Sequence, residues 1–183
     1  MKIDKKLNLV VTIGDEGNEI HFHHTPVGYE TFKKYHFILG KTFADLFSDN
    51  IMLTGAKIAA MHMEEVAIQS GKWDGEEGVK NGFMAECERL TKVLILGEKG
   101  WENLPVNVAI SRGAIDEIAW EEAKQRIVFF TLICCMISGK MREEPIRVMN
   151  DLWGTQTTSL TYMDFANSLP ISTETENSPA TPL

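Results

Sequence analysis

Residues 116–138 read DEIAWEEAKQRIVFFTLICCMIS, and the fold class turns on how this stretch is read. Asp116, Glu117, Glu121 and Glu122 crowd its start, while Gly139, Lys140 and Arg142 follow its end. That charge order complements a helix macrodipole, positive at its first turn and negative at its last. The first half alternates polar and apolar residues at helical spacing. The second half, Ile127 to Ile137, is apolar on every face. A helix apolar all round must be buried, and these 11 residues are too few to cross a bilayer. The stretch is therefore expected to be the central core helix of a mainly helical domain.

Upstream, Phe32, Tyr35, Leu39, Phe43 and Leu46 recur at three- and four-residue spacing. They predict a helix opened by Thr25-Pro26, running to about Phe47 and broken at Ser48-Asp49-Asn50. A second helix is expected over 55–69 and a third over 79–96, where Val79, Phe83, Cys87, Leu90 and Leu94 would share one face. Residues 72–78 and 99–105 read as loops. Val106 to Arg112 fits a strand or a short helix, and Pro145 opens a last helix ending at Trp153-Gly154. The N-terminus differs. Residues 7–13, LNLVVTI, are β-branched and apolar, Gly14 to Asn18 carry turn chemistry, and residues 19–25 alternate. They predict a β-hairpin with a five-residue loop. The expected fold is thus mainly α (α+β): an N-terminal β-hairpin packed on a bundle of about five helices, over residues 1–154. From 155 to 183 there is no Lys or Arg, and Ser, Thr and Pro dominate. This part is expected to be a linker with one short apolar segment, Tyr162 to Leu169, and a flexible tail from Ser172.

The 183 residues fit one domain with a real core, needing neither disulfide nor metal. The net charge of −8 argues against a general nucleic-acid binder, which must present a basic face to phosphates. Cys87, Cys134 and Cys135 are an odd number in apolar surroundings, as expected of buried thiols in a reducing compartment. The polar start, Met1 to Lys6, does not read as a secretory leader, and none is expected. A cytoplasmic protein without a membrane partner is expected.

Few residue patterns point to chemistry. On a strand, His21 and His23 would share one face, close enough to hold one metal ion. Zinc requires at least one further His, Cys or carboxylate. Outside the run His21-Phe22-His23-His24, His36 and His62 are the histidines left to approach, and no ligand spacing supplies a third donor, so no metal is expected. Cys134-Cys135 in an apolar helix would be inert packing. The chain has neither GxxxxGK[ST] nor GxGxxG, and no GxSxG. No catalytic residue and no cofactor are assigned. Nine methionines, among them Met61, Met63, Met84, Met136, Met141 and Met149, fill a core or form an adaptable apolar surface. Trp73, Trp101 and Trp153 sit at loop or helix ends, a position that suits amphipathic anchors and domain caps alike.

Several blocks carry a likeness to a known family. They are Lys5-Lys6-Leu7-Asn8-Leu9-Val10-Val11, Trp101 to Val106, Ala109 to Gly113, Ile127 to Thr131, Leu152 to Leu160, and Ser168-Leu169-Pro170. In these the chain resembles the tail assembly chaperones of long-tailed bacteriophages. The resemblance spans most of the chain and rests on structural blocks, none of them a catalytic signature. It implies a non-enzymatic protein of the host cytoplasm that binds and solubilises the tape-measure protein during tail morphogenesis and is absent from the mature virion. The tail-tube protein is an implied second partner, with homo-oligomers an option. The family often makes a longer form by ribosomal frameshifting. Residues 155–183 hold no Lys, so no A-rich slip site is implied here.

Two other readings stand beside it: a minor virion structural protein, such as a tail-tube or connector component whose hairpin joins a neighbour's sheet, and an enzyme using the histidines. For the chaperone reading, the expected contact elements are the hairpin, with an edge to pair, and the segment carrying Trp153, Leu160, Tyr162, Phe165 and Leu169.

Overall fold

The computed structural model describes residues 7–15, 19–48, 52–97, 99–137 and 141–170. The protein is α+β, with an N-terminal hairpin as the sequence predicts, but the hairpin belongs to a larger sheet. Strands β1 (Asn8–Ile13), β2 (Ile20–His24), β3 (Thr91–Gly97), β4 (Gly100–Pro105) and β5 (Thr155–Thr158) form one antiparallel sheet in the order β4-β3-β2-β1-β5. Seven helices are described: α1 (Tyr29–Ser48), α2 (Met52–Gln69), α3 (Ala85–Arg89), α4 (Val106–Ser111), α5 (Glu117–Met136), α6 (Glu143–Trp153) and α7 (Tyr162–Ser168).

Helix α5 is the stretch on which the fold turns, and its surroundings explain its composition. It touches β1 on one side and α1 and α2 on the other, so every residue from Ile127 to Cys135 is buried. Ile127 through Ile133 are all buried, among them Phe129 and Phe130. Asp116 caps its start by accepting from the Ala119 N–H (2.7 Å). The polar Gln125, buried on this helix, is satisfied by accepting from the Ala60 and Met61 N–H groups of α2 (2.8 and 3.2 Å). The inner sheet face adds Leu9, Val11, Phe22, Val93 and Leu104 to this core. Of the residues expected there, Leu39, Phe83, Leu132 and Ile133 are fully buried, whereas Phe32, Phe43 and Leu90 are half-buried at its margin.

The expected helix over 79–96 is corrected. It starts as a π-helical turn, Lys80–Met84, in which the Met84 N–H donates to the Val79 carbonyl (2.9 Å), and it ends at Arg89 in α3. From Thr91 the chain is strand. The four-residue spacing of Leu90 and Leu94 imitated a helix, but Thr91, Val93 and Ile95 are β-branched and β2 offers an open edge. The expected loop over 99–105 is likewise strand β4, closing a hairpin where Gly97 pairs with Gly100. Val106 to Ser111 resolves as helix. The first helix begins at Tyr29, because Thr25 is held beside the sheet, its N–H donating to the Leu90 carbonyl (3.1 Å). The second helix begins at Met52 rather than Gly55.

The linker expected from residue 155 is corrected as far as residue 170. Gly154, at φ +60°, turns the chain out of α6, and Thr155–Thr158 then pairs with β1 as the last strand of the sheet. Residues 172–183, the expected tail, lie outside the described residues.

Candidate outer-face binding site

The antiparallel pairing gives the sheet two faces of different character. On the inner face stand Leu9, Val11, Phe22 and His24; on the outer face stand Val10, His21, His23 and Leu94. Helix α7 lies across this outer face against β3 and β4. Phe165 and Ala166 of α7 form a second small core with Val10 and Leu94, and Trp101, Tyr162 and Leu169 close it at the sides.

Each histidine of the outer face meets an aromatic of α7 edge-on. The Phe165 ring stands 5.8 Å from that of His21 at 78°, and the Tyr162 ring 6.1 Å from that of His23 at 77°. Trp101 of β4 also stands 5.8 Å from His21, its ring tilted by 56°. His23 Nε2 donates to the Leu160 carbonyl (3.0 Å), which also accepts from Asn8 Nδ2 (2.6 Å). His21 Nδ1 lies 3.0 Å from Thr12 Oγ1. Burial holds the pKa of both imidazoles below the ordinary histidine value. The nearby Glu19 charge partly offsets this for His21, as the Leu160 carbonyl does for His23. Among the described residues, two buried polar atoms of this face find no partner: His23 Nδ1 and Trp101 Nε1.

The pair read from sequence, His21 and His23, is thus real as a shared face, and its neighbours are rings rather than further ligands. His36 donates to the Lys33 carbonyl (2.9 Å) on α1, and His62 of α2 stands 3.4 Å from Asp45, so neither joins the pair. Among the described residues, no three His, Cys, Asp or Glu side chains come together to hold a metal ion. The third histidine of the run, His24, points the other way. Its Nδ1 bonds Thr91 Oγ1 (3.0 Å), and that hydroxyl donates to the Cys87 carbonyl (2.7 Å), so Nδ1 carries the proton. Complete burial lowers its pKa to about 3 and keeps the ring neutral. Burial pushes the Cys135 thiol up to about 12 and Cys87 higher still.

The five residues expected to contact a partner do not form one patch. Phe165 is buried and Tyr162 and Leu169 are half-buried, all on the outer face. Leu160 is 42% exposed beside them. Trp153 packs half-buried against the main core, with the Lys57 ammonium 4.8 Å from its ring centre. The expected free edge of the N-terminal hairpin is also corrected: β1 pairs with β5 and β2 with β3, so among the described residues the open edges belong to β4 and β5. Around α7 the outer face stays partly uncovered, with Leu96 45% and Met163 43% exposed. Leu96 is paired with Trp101, and Met163 Sδ accepts from Asn103 Nδ2 (3.4 Å).

The sequence reading missed Val10, Leu94 and Trp101 as parts of this face. One signal was available. Leu9-Val10-Val11 is apolar without a break, the mark of a strand covered on both sides. Of the methionines, Met63 and Met149 fill the core, while Met61 (61% exposed) and Met141 (69%) stand in solvent. Among the described residues, no helix is long and apolar enough to cross a membrane.

No family model, no curated protein and no solved structure matches the chain.

Proposed function

We propose that the protein works by binding another protein, as a tail assembly chaperone that binds and solubilises the tape-measure protein during phage tail assembly. The observation that carries the reading is the outer sheet face, where an amphipathic helix already sits on a bed of Val10, Leu94 and two neutral histidines, with Leu96, Leu160 and Met163 exposed around it. Such a surface suits an apolar helical client, and a net charge of −8 keeps the carrier soluble. The blocks shared in kind with the tail assembly chaperones support the client's identity. In this reading the protein is not an enzyme, acts in the host cytoplasm and is left out of the finished particle.

Co-expression with the tape-measure protein tests the reading. The soluble fraction of that client rises, and Leu96→Asp lowers the gain while Met61→Asp, on the helical side, does not. An unchanged soluble fraction would count against the proposal.

The second reading, a minor virion structural protein, draws on the open edges of β4 and β5, to which a neighbour's strand can add. Many copies of the chain in purified virions would favour it over the first.

A further inference from the structure

Helix α7 is only seven residues long, well below the length at which a helix holds itself in water. It is capped by Thr161, whose hydroxyl accepts from the Asp164 N–H (3.2 Å) and donates to Asp164 Oδ2 (2.7 Å). Beyond that cap, its helical state depends on the face it covers. That contact is set apart from the main core: Phe165 and Ala166 meet Val10 and Leu94 in a separate cluster. The contact is also imperfect: beside it His23 Nδ1 and Trp101 Nε1 are buried with no partner among the described residues, and each such atom costs stability.

The anchors of α7 form a pattern. Tyr162, Phe165, Ala166 and Leu169 fall at i, i+3, i+4 and i+7, the spacing with which an amphipathic helix fills an apolar groove. We propose that α7 is a displaceable cover, and that the face beneath it takes an amphipathic helix of a partner protein in its place. The occupant has apolar or aromatic anchors at the same four positions. A polar side chain between them that donates to His23 Nδ1 or accepts from Trp101 Nε1 supplies what α7 lacks, and that difference lets it compete with a cover tethered to the same chain. The proposal rests on the protein-binding reading for its occupant, yet its test needs no client.

Hydrogen exchange on the full chain is the first arm. The amides of Phe165 and Leu169, which donate to Thr161 and Ala166, exchange at least tenfold faster than those of α5. Equal rates would make α7 an integral part of the fold and overturn the proposal. In the second arm a fluorescein-labelled peptide of residues 159–170 is titrated into the parent and into Phe165→Ala. Weakening the cover raises the fraction of open face, so the variant binds the peptide at least tenfold more tightly. If that variant loses α5 protection, Tyr162→Ala, whose ring is only half-buried, takes its place. No binding by a variant with intact α5 protection overturns the proposal. A positive result here alongside a failed co-expression would reject the client while keeping the cover.

Discussion

The hydroxyl of Tyr35 occupies the space that a side chain on Gly82 would need. This contact joins α1 to the π-helical turn, and Tyr35 Oη donates onward to the Glu77 carbonyl (3.2 Å). Gly82→Ala therefore displaces a buried ring. It is expected to cost about 1–3 kcal/mol by overpacking, despite the better helix propensity of alanine. Tyr35→Phe removes the nearest atom, so the double variant should lose less than the two single losses together. Urea melts of all four proteins check both statements, and strict additivity would contradict the contact.

Phe130 is fully buried on the helix that touches both the sheet and the helical pair. Phe130→Ala should destabilise by about 3–5 kcal/mol. A variant as stable as the parent in denaturant would remove Phe130 from the core.

His24 gives the protein an acid-side weakness. Its folded pKa, about 3, lies below the 6.5 of an unfolded histidine. Between those values the unfolded chain binds the extra proton, so stability is complete above pH 6.5 and falls as the pH drops toward 3. For this one group the loss between pH 7 and pH 5 should be about 2 kcal/mol. His21 and His23, lowered by burial, act in the same direction. Denaturant melts at pH 7, 6 and 5 measure the slope, and His24→Gln should flatten it; an equal slope in the variant would exclude His24 as its source.

The three thiols are buried, and burial raises Cys87 and Cys135 far above the range where thiolate forms. Ellman's reagent at pH 8 should therefore leave the folded protein almost untouched for minutes and titrate three thiols once guanidinium is added. Rapid reaction of the native protein would contradict the burial.

Two truncations separate the sequence boundary from the structural one. Ending the chain after Gly154 removes β5 and α7, uncovers the backbone edge of β1 and exposes Val10 and Leu94. A large fall in melting temperature, or insoluble protein, is expected. Ending it after Ile171 removes residues that carry almost no apolar surface, and the melting transition should stay where it is.

What could be read without the structure follows how local the cause was. Helices α5 and α6 and the N-terminal hairpin were legible because period, caps and turn residues lie within one segment. Strand β3 was not, because Leu90 and Leu94 satisfy a helical spacing and only the unfilled edge of β2 decides otherwise. Strand β5 was less legible still: Thr-Gln-Thr-Thr has no apolar signature and becomes a strand only because β1 lies beside it. Of the site, His21 and His23 were placed on one face correctly. Their covering was not seen, because Phe165 and Tyr162 reach them across the sheet from far along the chain.

The bond from Asn8 to the Leu160 carbonyl spans 152 positions of sequence. On a ribosome, β1 emerges well before the strand that completes its side of the sheet. At roughly 5–20 residues per second the unfinished edge stands open for about 7–30 s. For that interval the nascent protein carries a sticky, half-built sheet, and its sister chains on the same message carry the same one. Its yield in a cell thus depends on the timing of translation as well as on the stability of the finished fold.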